Sequence, residues 1–275
     1  MKKNLFFLII MSFIMILCCS CNNNIDHVDD ISWEKVQKSG KLILGMDDSF
    51  PPMGYMDVNT GEFVGFDVDI AQKVCERLGI KLVLQPISWV SKELELNNGN
   101  VDCIWNGLSK TYELEKNLNL SFPYMKNHQC LLVKLDSTYI SSIDLIGKRV
   151  GVQAESSAEH ALDKNVDFKN SLFSIIQVDT YLKGIMELNN NTIDALAIDE
   201  IVARYYIKQS GGQFKIICNE NGEMFSLADE EYVIGFRKYD NSLKNKIEQT
   251  LKEFSYDGTL GQISYKWFGE DITIV

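Results

Sequence analysis

Short apolar runs and helical stretches alternate along the chain. Lys41–Met46 is an apolar run typical of a strand. From Asp67 the apolar residues recur at helical spacing until Gly79, and Lys81–Leu84 is a second strand-like run. A further helical stretch separates it from Val101–Ser109, which is rich in β-branched and aromatic residues. This order of elements predicts a parallel sheet with helices on both faces.

The same alternation begins again after a short link near Met125–Gln129. Strands are predicted at Arg149–Gln153, Leu172–Val178 and Ile193–Ile198, with helices between them, and Tyr232–Arg237 resembles one more strand. Apolar residues at helical spacing mark two helices in the last part of the chain. The pattern predicts two α/β units in tandem, and the short link favours close neighbours joined by a hinge.

Polar residues follow the third predicted strand at the point where it ends. Asn106 and Gly107 break the apolar run, and Ser109 and Thr111 add two hydroxyl groups. Gly107 permits a close approach of the backbone, and open α/β sheets bind small ligands beyond the carboxyl ends of their strands. The stretch favours a ligand site, although a buried strand with an ordinary turn would carry the same residues.

The first residues are typical of an exported protein. Lys2 and Lys3 precede an apolar run from Leu5 to Leu17 that is interrupted only by Ser12. About 13 residues are too few to span a bilayer, which needs about 20, but they fit the core of a signal peptide. The run is followed by a small residue and a cysteine, which resembles a bacterial lipobox, where the cysteine thiol receives a lipid.

Cys21 is the predicted lipidation site, because Ser20 precedes it and a polar segment follows it. Cys19 is the alternative cysteine, and a plain secretory signal with cleavage nearby is the alternative mechanism. The sequence predicts a lipoprotein signal peptide over residues 1–21 and a tether over 22–30. The protein is then exported and held at the cell membrane by acyl chains such as palmitate, facing the periplasm or the cell exterior.

Charge and composition exclude several function classes. The formal net charge is -11, and no stretch interleaves clustered lysine and arginine with aromatic residues, which argues against a nucleic-acid partner. The cysteines beyond the leader lack CxxC spacing, and we expect free thiols at Cys75, Cys103, Cys130 and Cys218. Metal-ligand spacing is also absent from the three histidines, His27, His128 and His160. With no nucleophile elbow in the sequence, we predict no metal, no cofactor and no enzymatic activity.

Seven stretches, in order, resemble the substrate-binding proteins of amino-acid ABC transporters, of the lysine/arginine/ornithine- and glutamine-binding type. They are Leu42–Pro52, Glu62–Asp69, Trp89–Thr111, Leu145–Ala158, Asp194–Glu200, Tyr232–Lys238 and Asp257–Gly269. The resemblance implies an α/β, two-lobe periplasmic-binding-protein-like fold. Each lobe is then a mostly parallel sheet flanked by helices, and a two-strand hinge joins the lobes. Residues 31–126 plus 231–275 are expected to form lobe 1, and residues 127–230 lobe 2.

The resemblance also implies roles for individual side chains. Asp199 matches the family's acid for the ligand ammonium, and it also precedes Glu200 as a helix N-cap, a role compatible with the first. Phe50 and Trp89 match the aromatic residues that sandwich the ligand side chain, although either could instead be a core residue. Asp47 matches the acid that meets a side-chain cation in the binders of basic amino acids.

Backbone and hydroxyl contacts are implied on both sides of the cleft. Asn106, Gly107 and Ser109 match the contacts of the first lobe. Ser156 and Ser157 match those of the second lobe, at a predicted helix start whose unpaired N–H groups attract a carboxylate.

The chain departs from the family pattern at two of these positions. Glu155 replaces a common glycine, and Leu114 occupies the place of the arginine that clamps the ligand carboxylate. A charge-assisted hydrogen bond contributes roughly 1.5–3 kcal/mol, so its loss lowers affinity about ten- to a hundredfold. Lys110 or Lys116 could supply the missing cation, the ligand could lack a carboxylate, or the protein could have left solute uptake. Asp67 matches a family acid for which we expect a structural role.

The function implied by the resemblance is solute capture. The protein is expected to be a monomer that binds a small polar solute, an amino acid or a related amine, and delivers it to an ABC-type membrane permease. Two alternatives remain open, a ligand-free or sensory surface lipoprotein and an enzyme similar to the periplasmic dehydratases that share this fold.

Overall fold

Strands and helices alternate over most of the chain, as the apolar pattern predicts. The strands are β1 (Lys41–Met46), β2 (Ser49–Phe50), β3 (Gly54–Met56), β4 (Phe63–Val64), β5 (Lys81–Pro86), β6 (Cys103–Ser109), β7 (Leu118–Leu120), β8 (Met125–Lys134), β9 (Arg149–Gln153), β10 (Ser174–Val178), β11 (Ala195–Asp199), β12 (Phe214–Ile216) and β13 (Ala228–Arg237). The helices are α1 (Ser32–Ser39), α2 (Phe66–Leu78), α3 (Lys92–Asn97), α4 (Tyr112–Asn117), α5 (Ser157–Lys164), α6 (Val166–Ser171), α7 (Tyr181–Asn189), α8 (Glu200–Gln209), α9 (Asn241–Tyr256) and α10 (Thr259–Phe268).

The computed structural model describes residues 30–219 and 221–275. The predicted signal peptide over 1–21, its lipidation site at Cys21 or Cys19, and the tether up to residue 29 lie outside the described residues. Within the described part of the chain, no helix is both long and apolar enough to cross a membrane.

The main sheet follows the order β10-β9-β11-β8-β13-β6-β1-β5, with β12 on β8 and β7 on β13. In its first half, β1 pairs in parallel with β5 and β6, and in its second half β9 pairs in parallel with β10 and β11. The ten-residue strands β8 and β13 run antiparallel to their neighbours and connect the two halves. This mixed α/β sheet with flanking helices is the fold that the resemblance implies.

Helix α2 connects the local sequence with the position of a ligand site. Its apolar face, with Ile70 and Val74 buried four residues apart, packs against the sheet. The helix ends at Gly79 with a φ of 68°, which confirms the predicted stop. Its first turn carries Asp67, whose Oδ2 accepts a hydrogen bond of 2.8 Å from the backbone N–H of Gly107. The helix therefore fixes the turn of β6 that the sequence predicts as a ligand site.

Four thiols lie within the described chain. All four are free, with three of them buried and one half-buried, and they are Cys75, Cys103, Cys130 and Cys218. Burial raises the pKa of Cys75 to about 12, so this thiol stays protonated. The three buried cysteines act as small apolar residues of the core.

Candidate functional site

A cleft of about 230 Å³ lies between the two halves of the sheet. The carboxyl ends of β6, β9 and β11 meet at this cleft, which is where an open α/β sheet binds ligands. The lining residues are Phe50, Trp89, Lys92, Glu93, Gly107, Leu108, Ser109, Thr111, Glu113, Leu114, Gln153, Glu155, Ser156, Ser157, His160, Tyr181 and Asp199.

Aromatic rings form part of the cleft wall. The ring of Phe50 packs on that of Tyr181, with centroids 5.6 Å apart, and Trp89 lies nearby in the lining with 9% of its surface exposed. Phe50 also covers Gly107, where a Cβ would lie 2.5 Å from the phenyl ring. Because Gly107 has a φ of 58°, both the backbone conformation and the contact require glycine.

Asp199 is a buried carboxylate at the end of β11, with 2% of its surface exposed. Its Oδ1 accepts hydrogen bonds from Asn127 at 2.6 Å, Gln129 at 2.8 Å and the hydroxyl of Tyr232 at 2.7 Å. The hydroxyl of Tyr181 donates to Oδ2 at 2.8 Å. The register of β8 and β11 pairs Asp199 with Gln129, and the two-residue period of β8 brings Asn127 to the same face. All four donors are neutral.

A second carboxylate, Glu230, lies beside Asp199 on β13. Its Oε2 accepts from the hydroxyl of Ser109 at 2.6 Å and from Gln129 at 2.9 Å, the amide that also bonds to Asp199. Burial, and after it the negative charge of Glu230, raises the pKa of Asp199 to about 7. The amide oxygens of Asn127 and Gln129 are buried and accept no hydrogen bond from any described residue. The surroundings of Asp199 are therefore rich in acceptors, and no lysine or arginine of the described chain forms an ion pair with it.

The opposite wall carries the start of helix α5. The hydroxyl of Ser156 caps the helix by accepting from the N–H of residue 159. The N–H groups of Ser157 and Ala158 have no acceptor among the described residues, and the Ser157 hydroxyl donates to that of Ser109 at 3.1 Å. Glu155 precedes the cap with a φ of 56°, a backbone conformation that favours glycine. This departure from the family pattern therefore places a side chain in the left-handed region.

Lys92, the first residue of α3, is the one lysine or arginine among the described residues that line the cleft. Its side chain is 8% exposed, and its ammonium lies 5.2 Å from the centre of the Trp89 ring. Nζ donates to the carbonyl oxygens of Trp89 at 3.3 Å and of Glu155 at 2.9 Å. Burial lowers the pKa of Lys92, whereas the carboxylates of Glu155 and Glu93 raise it.

Leu114, which occupies the arginine position, and the two lysines near it in sequence lie in three different surroundings. Leu114 lines the cleft, is 6% exposed and packs in the apolar cluster that contains Trp89. Lys110 forms an exposed ion pair of 3.1 Å with Glu115 and is not among the residues lining the cleft. Lys116 lies 4.0 Å from the centre of the Tyr112 ring and is also outside the lining.

Asp47 and Asn106 support the cleft from behind its lining. The carboxylate of Asp47 accepts from both the N–H and the hydroxyl of Ser49 and, at 2.7 Å, from the amide of Gln153. Asn106 accepts from the N–H of Asp47 and is 1% exposed. Burial raises the pKa of Asp47. The role of Asp47 toward a side-chain cation stays a prediction.

Seven of the nine predicted ligand residues line the cleft: Phe50, Trp89, Gly107, Ser109, Ser156, Ser157 and Asp199. Sequence reasoning missed the polar residues that surround Asp199 and the cleft lysine: Lys92, Asn127, Gln129, Tyr181, Glu230 and Tyr232. Asn127 and Gln129 carry a usable signal, since they are polar residues two apart in an otherwise apolar strand. We find no such signal for Lys92.

A larger cavity, of about 620 Å³, lies beside α8 and the C-terminal segment. Tyr55, Tyr205 and Trp267 form its aromatic wall, and it contains none of the nine predicted ligand residues, all of which are within the described chain. The cleft is the candidate site because a buried carboxylate, a buried ammonium and a helix start converge on it together with aromatic rings.

A family of known proteins matches most of the chain. The model of the bacterial extracellular solute-binding proteins, family 3, covers residues 42–270. The chain belongs to this family. Its members are solute-binding proteins, and the cleft of this solute-binding protein lies inside the matched range.

Three relatives illustrate what similar proteins bind. The L-cystine-binding protein TcyA of Bacillus subtilis is 27% identical over 278 residues, 99% of this chain and 100% of that protein. The arginine-binding extracellular protein ArtP of the same species is 30% identical and covers 83% of this chain and 86% of its own. A third relative is known from the crystal structure of an ABC uptake transporter substrate-binding protein from Streptococcus pneumoniae with bound histidine, whose sequence is 35% identical to this chain. It has a TM-score of 0.83 and covers 90% of this chain and 99% of that chain.

Proposed function

We propose that this solute-binding protein captures an amino acid in the cleft, with the ligand ammonium at Asp199. The observation that carries the proposal is a buried carboxylate whose hydrogen-bonding neighbours are neutral. The buried amide oxygens of Asn127 and Gln129 need donors, and an ammonium brings three of them. A buried anion is stable when a cation pairs with it, so a ligand ammonium completes the site.

The charges around the cleft favour a neutral or cationic amino acid over an acidic one. The cleft lining contains four carboxylates, those of Glu93, Glu113, Glu155 and Asp199, and a single lysine, Lys92, among the described residues. The relatives are named for cystine, arginine and histidine. Each of these amino acids carries an ammonium, and none has an anionic group other than its α-carboxylates. The Phe50 and Trp89 rings suit the apolar or cationic part of such a side chain.

Delivery to an ABC permease is the second part of the proposal. We infer two lobes, 31–126 plus 231–275 and 127–230, that close over the solute by bending at β8 and β13. Direct bonds across the cleft support closure as the ligand-holding arrangement: Gln153 to Asp47, Ser157 to Ser109, and Lys92 to the Glu155 carbonyl.

Anchoring by a lipid at Cys21 is proposed from the leader sequence alone. Replacing Cys21 by Ser should abolish labelling with palmitate and release the protein from the membrane fraction, whereas Cys19→Ser should leave both unchanged. The opposite pattern would move the anchor to Cys19. Absence of palmitate label from the unmodified protein would point to a plain secretory signal.

Thermal unfolding of the full chain in detergent, with each of the common amino acids and L-cystine, tests the binding function. A ligand at a hundred times its Kd should raise the free energy of unfolding by about 2.7 kcal/mol. Glutamate and aspartate should give no shift. No shift with any compound would favour a ligand-free surface protein, and chemical turnover of a binder would favour an enzyme. Uptake of the labelled binder by cells that lack the protein tests delivery, because it should fall.

A further inference from the structure

Lys92 is a buried cation without an anionic partner. Its side chain is more than nine-tenths buried, and no carboxylate of the described chain lies within 4.0 Å of its ammonium. Its two hydrogen bonds go to carbonyl oxygens, those of Trp89 and Glu155, so one of its three N–H donors has no acceptor there. Burying a charge is costly unless an opposite charge compensates it. The missing compensation points to an anionic group of the ligand.

A second source of positive potential lies next to this ammonium. The carbonyl of Glu155, to which Lys92 donates at 2.9 Å, belongs to the residue before the N-cap of α5. The free N–H groups of Ser157 and Ala158 follow within the first turn, and the helix dipole adds to their charge. Lys92 and the start of α5 come from different halves of the sheet, so an anion between them would contact both.

The usual cation of the family is absent at this point of the cleft. Leu114 occupies the arginine position, lies in the lining and packs in the same apolar cluster as Trp89. Lys110 is paired with Glu115 outside the lining, and Lys116 contacts Tyr112. Lys92 is therefore the lysine or arginine that the described cleft offers to a carboxylate.

We propose that Lys92 binds the ligand α-carboxylate together with the start of α5 and replaces the arginine whose position Leu114 occupies. This inference rests on the proposed function, because it assigns one end of an amino acid whose other end lies at Asp199. The carboxylate is contacted by one group from each half of the sheet, so binding it also favours closure.

Pairs of compounds that differ in the carboxylate alone test this role. The probes are L-arginine with agmatine, L-histidine with histamine, and L-cystine with cystamine, titrated calorimetrically into the full chain in detergent. For the pair that binds, Lys92→Met should raise the Kd of the amino acid about ten- to a hundredfold. The Kd of the matching amine should change less than threefold. Lys92→Arg should keep most of the affinity. Lys92→Gln gives the same comparison if the methionine variant does not fold.

Lys110→Met is the matched control, since it removes a lysine from an exposed ion pair outside the cleft lining and should change neither affinity. Equal losses for amino acid and amine in Lys92→Met, or no loss for either, would overturn the role of Lys92 and leave the proposed function intact. If a different amino acid is the one that binds, that amino acid and its decarboxylated amine form the pair. Failure of the unmodified protein to bind any common amino acid or L-cystine would remove the proposed function and this inference with it.

Discussion

Asp67 and Asp199 are two buried aspartates with the same electrostatic perturbation and different places in the molecule. Burial raises the pKa of each to about 7. Asp67 lies in the first turn of α2, where it accepts from the Gly107 N–H at 2.8 Å and the Tyr124 hydroxyl at 3.0 Å. It does not line the cleft, whereas Asp199 does.

The difference shows that a raised pKa reports burial and not a role in binding. Asp67 holds the left-handed backbone turn at Gly107 from outside the cleft. Asp199 faces the cleft and is accompanied by Glu230 and by two amide oxygens that accept no hydrogen bond from the described part of the chain.

The largest effect is expected for the loss of the Asp199 charge. Asp199→Asn leaves a ligand ammonium buried without its anion, and breaking a buried pair in this way costs about 3–5 kcal/mol, a loss of affinity of a hundredfold or more. Asp67→Asn, the same change at an equally buried site, should alter affinity less than threefold. Calorimetric titration of both variants with the bound amino acid measures the two affinities. Similar losses of affinity in the two variants would contradict the different roles of Asp199 and Asp67.

Binding should also weaken as the pH falls below about 7. An ammonium pairs with the ionised form of Asp199, and protons compete for that carboxylate once the pH is below its raised pKa. For L-arginine, whose own charges are constant in this range, the Kd should rise by up to tenfold per pH unit between pH 7 and pH 5. The slope should persist in Asp67→Asn and vanish in Asp199→Asn; a flat profile in the unmodified protein would argue against Asp199.

A smaller gain is expected from returning an arginine to the family's position. Leu114→Arg adds a second cation to the cleft near the carboxylate end of the ligand, and affinity for the bound amino acid should rise about tenfold. The matching amine should bind no better. An unchanged Kd in a variant whose thermal unfolding is intact would mean that residue 114 does not reach the carboxylate.

The smallest change in affinity, for Asp67→Asn, has a counterpart in stability. Between pH 3.8 and about 7 the folded state keeps a proton on Asp67 that the unfolded chain releases, so the unmodified protein loses stability as the pH rises through this range. The variant lacks this loss. Its free energy of unfolding relative to the unmodified protein should therefore rise with pH, by up to about 1.4 kcal/mol per unit, and level off above 7. Denaturant unfolding at several pH values measures the slope, and a constant difference would contradict it.

Local signals in the sequence were sufficient for most of the fold. The apolar spacing from Asp67 and the stop at Gly79 predict α2 to within one residue at its start, and α5 begins at Ser157, where a helix start is predicted. Ser109, predicted from its place at a strand end, and Asp199, implied by the family resemblance, both line the cleft.

Lys92 shows where such signals end. It begins the stretch KELELN, whose charges are typical of a solvated helix face, and its burial depends on the Glu155 carbonyl 63 positions further along the chain. Gln129 and Glu230 are likewise joined across 101 positions. No local pattern encodes pairs at such separations.

The sequence by itself determined the alternation of strands and helices, the family, and the residues at the strand ends, because periodicity and short motifs act over a few residues. Tertiary structure alone decided which charges are buried and what surrounds them: an aspartate among neutral donors, and a lysine beside the start of α5. Burial and charge compensation depend on contacts between distant segments, and these exist only once the two halves of the sheet have come together.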